Sequence, residues 1–285
     1  MNLKCGHGPQ FYCYSAARPV ITRSGKNGKK GVNPMKYDTR RCRILHKTQM
    51  NRDTFDLWLE AGELAAHAAP GQFVNLLVPG KVLRRPISIC QIDPAAGALR
   101  IVFQIRGEGT AQLAEIPQGG VLDVLGPLGR GFVLDPTAGH PVFVGGGIGV
   151  PPLLAAASRY GEKASVILGF RDKDAVILEE DFRKLGCRVT VTTDDGSYGA
   201  KGLVTGPLQE LAALGADAVF ACGPTPMLRG VAQIAADARI PCQVSLEERM
   251  GCGVGACLGC THHTAHGAKC ICKDGPVFEG EEIYA

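Results

Sequence analysis

The sequence contains no apolar run of the roughly 18 residues that a membrane-spanning helix requires, although 45% of its 285 residues are hydrophobic. It also lacks the short apolar segment of a secretory signal peptide. Charged side chains make up 20% of the chain, as in ordinary globular proteins. We therefore expect a cytoplasmic protein without a membrane anchor, long enough for two domains and a small third.

Acidic residues are absent from residues 1–34, which hold six Lys or Arg. The other residues hold 25 basic and 27 acidic side chains, a balance of −2, so the net charge of +4 belongs to this segment. The charge is therefore no indication of nucleic-acid binding. Residues 1–34 also lack hydrophobic periodicity, which predicts a disordered basic extension, with a targeting arm as the alternative. Patterned sequence begins at Met35, and we expect that residue to be the natural start.

The twelve cysteines are unevenly distributed, since five of them lie within residues 252–272. Disulfide-rich scaffolds are usually short secreted chains, whereas this chain is long and has no signal peptide. A local cluster of Cys instead indicates a metal site in a reducing compartment.

Three of these cysteines have the spacing C-x4-C-x2-C, namely Cys252, Cys257 and Cys260, and Cys272 follows at a distance. This is the ligand pattern of a plant-type [2Fe-2S] centre. Cys270 is a rival fourth ligand. The alternatives are a zinc site, which favours paired C-x2-C units, and free or disulfide-bonded thiols. Three nearby histidines are expected to be exposed loop residues: His262, His263 and His266.

The hydrophobic pattern changes twice along the chain. Short strands with Gly and Pro turns between them predict an antiparallel β-barrel over residues 35–136. Alternating strands and helices predict a doubly wound parallel sheet over residues 137–246, with residues 241–246 as its last strand. Residues 247–285 then form a small cluster-binding unit.

Two motifs of the predicted barrel suit a phosphate. In Arg84-Arg85-Pro86-Ile87-Ser88, a guanidinium and a hydroxyl lie close together on one strand and can bind a pyrophosphate. The alternative is an edge strand made soluble by Arg. Gly107-Glu108-Gly109-Thr110 precedes a predicted helix, whose N-terminus favours an anion. The alternative is a simple turn with Thr110 as the N-cap.

Two turns of the predicted α/β unit suit a dinucleotide. A glycine-rich loop between a strand and a helix lets the backbone approach a ligand, and it consists of Gly145, Gly146, Gly147, Ile148 and Gly149. The loop departs from a strict G-x-G-x-x-G, so a generic tight turn is the alternative. A second turn after a strand consists of Cys222, Gly223 and Pro224. Here the alternative for Cys222 is a small buried hydrophobe.

The order of these motifs resembles the ferredoxin reductase superfamily, which holds FAD on a barrel and a nicotinamide nucleotide on an α/β domain. The segments Glu248–Cys257 and Cys272–Phe278 narrow the resemblance to the electron-transfer subunits of NAD-linked dihydroorotate dehydrogenase. The resemblance covers residues 36–285 and favours Cys272 over Cys270. It implies FAD contacts at Arg85, Pro86, Ile87, Ser88, Val102, Phe103, Gln104, Gly109 and Thr110. Members of the family often have Tyr-Arg in place of Phe103-Gln104, so a charged contact must be missing or come from elsewhere.

The same resemblance implies a function in pyrimidine (UMP) biosynthesis. Electrons from dihydroorotate pass from the FMN of a partner catalytic subunit through [2Fe-2S] and FAD to NAD+, in a heterotetramer with two copies of each subunit. No residue of this chain is then needed for orotate chemistry, and none is assigned. One alternative is a subunit of an NADH:ferredoxin or sulfide oxidoreductase. The other is a zinc-stabilised nucleotide-binding module without redox turnover.

Overall fold

The structure, a computed structural model, describes residues 37–284. The basic extension over residues 1–34 and the start at Met35 lie outside the described residues. The predicted fold class, a β-barrel followed by a parallel α/β sheet and a small C-terminal unit, is confirmed.

Six antiparallel strands close a barrel in the order β1-β2-β5-β4-β3-β6. Apolar side chains at alternate strand positions, such as Leu57 and Leu59, fill its interior. The elements of this part are β1 (Asp38–Gln49), β2 (Thr54–Glu60), α1 (Glu63–His67), β3 (Phe73–Leu77), β4 (Arg85–Asp93), β5 (Ala98–Gln104), α2 (Glu108–Glu115) and β6 (Val121–Leu128).

The second part is a seven-stranded sheet with the order β10-β9-β8-β7-β11-β12-β15. All of its neighbouring strands are parallel except the last pair. Its elements before the cysteine segment are β7 (Pro141–Gly146), α3 (Pro151–Ala157), β8 (Ser165–Phe170), α4 (Glu179–Lys184), β9 (Arg188–Thr193), β10 (Ala200–Lys201), α5 (Thr205–Ala213), β11 (Ala218–Cys222), α6 (Thr225–Asp237) and β12 (Cys242–Ser245).

The cysteine segment ends by returning to this sheet. Its elements are β13 (Thr261–Thr264), β14 (Gly267–Cys270), α7 (Ile271–Asp274), β15 (Val277–Glu279) and α8 (Gly280–Tyr284). Strand β15 pairs antiparallel with β12, so the strand predicted to be last has a further neighbour. The chain order could not indicate this, because an antiparallel edge strand needs no crossover helix.

The barrel and the sheet share one hydrophobic core. Cys90 and Val102 on the outer wall of the barrel pack with Leu153 and Leu154 of α3. This packing places the outer face of β4 and β5 beside the carboxyl ends of β7 and β11. Within residues 37–284, no helix combines the length and the apolar character needed to cross a membrane.

Candidate functional site

A cavity of about 550 Å³ lies between the barrel and the sheet. Both sets of predicted nucleotide-binding residues meet in it. Its lining includes Arg85, Pro86, Ile87, Ser88, Val102, Phe103, Gln104 and Thr110 from the barrel and Gly146, Gly147, Ile148, Gly149, Cys222, Gly223 and Pro224 from the sheet. Val102 and Phe103 are almost fully buried in the cores on either side of β5, so they present mainly backbone to the cavity.

Gly109 does not line the cavity, but it makes room for the residue that does. A Cβ atom at Gly109 would lie 2.7 Å from Cζ of Arg85, so any larger residue would displace the guanidinium. Nη1 of Arg85 donates a hydrogen bond to the Leu83 carbonyl at 2.6 Å, which fixes the side chain. A held guanidinium beside the first turn of α2 is a suitable site for a pyrophosphate.

Helix α2 begins at Glu108, and its N-cap is Gly107. The alternative that placed Thr110 at the N-cap is therefore wrong. Thr110 lies inside the first turn, where its Oγ1 accepts hydrogen bonds from the backbone N–H groups of Arg106 and Gly107 at 2.8 and 3.2 Å. The helix therefore starts earlier than the sequence pattern indicates, because Gly109 is tolerated within this turn.

A cation lies near Gln104 in the form of Arg106. Both residues line the cavity, and Nε2 of Gln104 donates to Asp53 at 2.8 Å. The side chain of Arg106, two positions along the chain, is exposed. The resemblance to the family did not indicate Arg106, because this residue lies after the end of β5 and outside the positions of the family's Tyr-Arg pair.

On the sheet side, two turns approach each other closely at Gly149. A Cβ atom there would lie 2.6 Å from the Cys222 carbonyl carbon and from the Gly223 nitrogen. Gly145 is buried in β7 outside the cavity, where its added Cβ would lie 2.8 Å from Cγ2 of Val150. Gly145 therefore serves strand–helix packing, whereas the next four residues of the loop face the cavity.

Cys222 lines the cavity as a neutral thiol. Burial first, and then the nearby charge of Glu247, raise its pKa to about 12. A neutral thiol is a weak nucleophile, so the side chain supplies shape and a small polarizable contact.

The four predicted cluster cysteines form two pairs, each linked by a backbone hydrogen bond. The N–H of Cys257 donates to Sγ of Cys252, and that of Cys272 donates to Sγ of Cys260, both at 3.4 Å. Within the described part of the chain, no three Cys, His, Asp or Glu side chains form a group that could hold a metal ion. Two pairs of thiolates are the donor set that a two-iron cluster requires.

Backbone N–H groups donate to all four of these sulfurs. Sγ of Cys252 accepts from Val254, Ala256 and Cys257 at 3.3–3.4 Å. The other three sulfurs accept from Gly259, Cys272 and Gly255 respectively, at 3.1–3.4 Å. Positive φ at Gly253 and Gly255, +76° and +82°, lets the loop turn its N–H groups inward. Cys thiolates with N–H donors fit an iron–sulfur cluster.

The two ends of the donor set differ in pKa. Partial burial acts to raise the pKa of Cys252, but the N–H donors of Val254, Cys257 and Ala256 lower it to about 6. Burial, with the neighbouring Cys260 thiol, raises the pKa of Cys272 to about 12. Since a metal ion binds the thiolate, Cys252 reaches its ligand form at a lower pH than Cys272 does.

Cys270, the rival fourth ligand, has different surroundings. Its sulfur contacts the Thr261 hydroxyl at 3.8 Å, and its backbone N–H donates to Asp274 at 2.9 Å. No backbone N–H donor to this sulfur is present among the described residues. His262 and His263, expected in a loop, lie instead in β13, where they pair with Lys269 and Ala268 of β14. His266 is exposed in the turn between the two strands, as expected.

Apolar residues connect the cavity with the cysteine loop. Phe73 and Met250 line the cavity and also pack in the core that contains Cys260 and Cys272. On the other side of the loop, Cys257 is exposed and 64% of Leu258 is accessible to solvent. One end of the thiol group therefore faces the cavity side and the other faces the surface.

Several cavity residues were missed from sequence. They are Phe73, Arg106, Ser245, Leu246, Glu247, Glu248, Met250 and Pro276. Five of them lie at or after the carboxyl end of β12, which is beside that of β11. Pro276 is placed there by the return of the C-terminal segment to β12. The sequence signal that could have identified those five is their position directly after a predicted parallel strand, since ligands bind at the carboxyl ends of such strands.

Comparison with solved structures defines the class. A chain from the NADH-dependent reduced ferredoxin-NADP oxidoreductase is 32% identical with a TM-score of 0.77, over 85% of this chain and 89% of that one. The ferredoxin reductase of carbazole 1,9a-dioxygenase shares the fold at 18% identity and a TM-score of 0.60, over 72% and 67% of the chains. The protein is a ferredoxin reductase-type oxidoreductase with an added cysteine segment.

Sequence relatives narrow this class to one family. Residues 247–284 match the iron–sulfur cluster binding domain of dihydroorotate dehydrogenase B. The electron transfer subunit of dihydroorotate dehydrogenase B (NAD(+)) from Bacillus caldolyticus is 44% identical over 81% of this chain and 92% of its own length. That of Fusobacterium nucleatum is 40% identical over 85% and 97%. The chain belongs to this family of electron transfer subunits.

Proposed function

We propose that the chain carries electrons between a dihydroorotate-oxidising catalytic subunit and NAD+, with a [2Fe-2S] cluster and FAD as its own cofactors. The observation that carries the proposal is the position of two linked cysteine pairs, each supplied with N–H donors, beside a cavity lined by both nucleotide motifs. When bound, flavin exchanges two electrons with a nicotinamide and single electrons with an iron–sulfur cluster.

The barrel residues hold the FAD in this proposal. Arg85 and the N-terminus of α2 bind its pyrophosphate, and Arg106 supplies a further cation. The backbone of Val102 and Phe103 and the side chains of Pro86, Ile87 and Ser88 form the flavin wall. Gly146–Gly149 and Cys222–Pro224 hold the NAD on the facing sheet edge, where the close approach at Gly149 brings the two turns together.

The cysteine loop holds the cluster through Cys252 and Cys257 on one iron and Cys260 and Cys272 on the other. Its exposed end, at Cys257 and Leu258, is the side on which we place the catalytic subunit. That subunit contains FMN, and the complex holds two copies of each chain. None of the ten described cysteines forms a disulfide bond, which supports a cytoplasmic location for this pyrimidine-pathway enzyme.

The test is dihydroorotate-dependent reduction of NAD+ by the purified chain together with its catalytic subunit. We expect turnover with both chains and none with either alone. Cys257→Ser should abolish the cluster signal and transfer to the partner, while NADH still reduces the flavin. Loss of flavin reduction as the primary effect would contradict the assigned roles.

A second candidate is exchange of electrons with ferredoxin, favoured by the 32% identical NADH-dependent reduced ferredoxin-NADP oxidoreductase chain. The higher identity to the dihydroorotate dehydrogenase family, 44%, favours the first proposal. The same preparation, given reduced ferredoxin in place of dihydroorotate and the catalytic subunit, separates the two. NAD+ reduction with ferredoxin alone would favour the second candidate.

A further inference from the structure

Asn75 of β3 is a polar side chain in an unusual position. It is 0% exposed, and among residues 37–284 neither its Oδ1 nor its Nδ2 has a hydrogen-bond partner. Burying an amide without a partner destabilises the folded protein. A buried leucine at the same position would avoid that cost, so the amide requires an explanation.

The strand places Asn75 on the outer side of the barrel. Val74 and Leu76, on either side of it, point into the barrel core. Phe73, two positions earlier, faces outward to the core shared with Cys260 and Cys272. Asn75 is paired with Pro86, which lines the cavity. The amide therefore lies on the barrel face between the proposed flavin site and the cysteine segment.

Within the described residues, the amide is directed at the cysteine loop. A Cβ atom built on Gly253 would lie 2.6 Å from Nδ2 of Asn75, so the amide occupies the open side of that glycine. Gly253 directly follows Cys252, whose sulfur already accepts three backbone N–H groups. The donor end of the amide thus faces the segment that would hold the cluster.

We propose that Asn75 is a positioning residue for the iron–sulfur cluster. In this proposal the Asn75 amide N–H donates a hydrogen bond to a sulfur of the cluster and thereby adjusts its reduction potential. This inference rests on the proposed function. No cysteine sulfur of the described residues lies within hydrogen-bonding distance of the amide, so the acceptor in this proposal is a sulfide of the bound cluster. Hydrogen bonds to cluster sulfurs raise the reduction potential of the cluster. The contact also ties the barrel wall to the cluster loop.

The experiment measures the midpoint potential of the cluster by EPR-monitored titration of the purified, cofactor-loaded chain. Asn75→Leu keeps the branched shape and the number of side-chain heavy atoms but removes the donor, and Asn75→Asp replaces the donor by a negative charge. Thr192→Val is the matched control, since Thr192 is 2% exposed with an unpartnered Oγ1 in the α/β sheet. Flavin content and the rate of flavin reduction by NADH are recorded for each variant.

We expect the cluster of Asn75→Leu to be about tenfold harder to reduce, equivalent to about 59 mV for one electron, and that of Asn75→Asp to be at least as hard. Thr192→Val should keep the wild-type potential, and NADH should reduce the flavin in every variant. A wild-type potential in either Asn75 variant would overturn the inference and indicate a buried water as the partner. If the Asn75→Leu variant does not take up the cluster, the midpoint potential of the Asn75→Asp variant tests the inference. A wild-type chain without a cluster signal would instead overturn the proposed function.

Discussion

At the scale of single residues, the choice between Cys270 and Cys272 shows how hydrogen bonding separates two nearby thiols. They are two positions apart in the sequence, and both are buried. Of the two, only Cys272 is linked to another predicted ligand, because its N–H donates to Sγ of Cys260 at 3.4 Å. Its own sulfur accepts a backbone N–H from Gly255 at 3.1 Å. Spacing alone left both residues open, because the loop before them has no fixed length in the ligand pattern.

This difference predicts opposite results for two serine substitutions. Cys272→Ser should remove the visible absorbance and the EPR signal of the cluster, because one iron loses a thiolate. Cys270→Ser should keep both signals and an iron content equal to that of the unsubstituted protein. Iron and sulfide analysis of the two purified variants makes the comparison, and loss of the cluster in Cys270→Ser alone would reverse the assignment.

Arg85 is the second residue whose role is testable alone. Arg85→Ala removes the guanidinium packed over Gly109, and we expect FAD to bind about ten- to a hundredfold more weakly, since a charge-assisted hydrogen bond contributes about 1.5–3 kcal/mol. Equilibrium dialysis or fluorescence titration with FAD measures this.

Arg84→Ala is the control for Arg85. Arg84 forms an ion pair with Asp123 at 2.8 Å and does not line the cavity. FAD binding in this variant should stay within about threefold of the unsubstituted protein. Equal weakening in both variants would mean that loss of barrel structure, and not loss of a phosphate contact, is responsible.

At the scale of elements, regular patterns predicted most strands and helices, and local packing determined the rest. Alternation in β2 and the buried runs of β7 and β8 specify their strands directly. The β13–β14 hairpin was missed because Thr261–Thr264 contains two histidines and no apolar residue. Strand β15 has three residues and acquires its partner only through the return to β12, which no local pattern encodes.

One ion-pair network joins an element of the barrel to an element of the sheet. Arg100 of β5 is held by Asp56 of β2, with Nη2 to Oδ2 at 2.8 Å, and by Asp181 of α4. Gln91 of β4 accepts a further hydrogen bond from Nη1 of Arg100 at 2.9 Å. Since these partners come from both sides of the core, the network fixes β5 against α4.

Removing Arg100 should therefore be costly. Arg100→Leu leaves Asp56 buried without its cation, and we expect a loss of about 3–5 kcal/mol in the free energy of unfolding. Thermal and urea unfolding of the FAD-loaded protein measure the loss. Arg43→Leu removes a surface pair with Glu60, whose side chains are 57% and 54% exposed, and should cost less than about 1 kcal/mol. Similar losses in the two variants would exclude a special role for the buried network.

At the scale of the whole molecule, the thiols buried in the barrel and the sheet differ in pKa from Cys252 of the cysteine loop. Burial raises the pKa of Cys42 and Cys187 to about 11 and that of Cys222 and Cys242 to about 12. Because a raised pKa keeps a thiol protonated at pH 8, these four should resist alkylation in the folded protein. In the cluster loop the pKa of Cys252 is lowered to about 6 when no metal is bound, so its thiolate is available.

Removal of iron should therefore make one further cysteine, Cys252, reactive toward alkylation. At pH 8, iodoacetamide should leave the loaded protein largely unmodified at Cys252, and chelator-treated protein should react there first. Peptide mass spectrometry reads the modified positions. Modification of Cys222 or Cys242 before Cys252 in the chelated protein would show that iron removal unfolds the sheet.

The arrangement of the molecule follows from where its two parts meet. The shared core brings the barrel face that carries Arg85 to the carboxyl edge of the parallel sheet, and the C-terminal return places the cysteine loop against both. The sequence predicted the motifs and their order along the chain, including Arg85, Ser88 and the four cysteines of the loop. It could not predict Arg106 or Asn75, whose positions depend on packing between distant segments.

The most direct test of the central claim is anaerobic mixing of the purified chain with NADH, followed by visible absorbance and by EPR of samples frozen at intervals. The account predicts bleaching of the flavin and then the EPR signal of a reduced [2Fe-2S] cluster in the same polypeptide. Bleaching of the flavin in a chain that contains iron but never develops that signal, or a chain whose only metal is zinc, would contradict it.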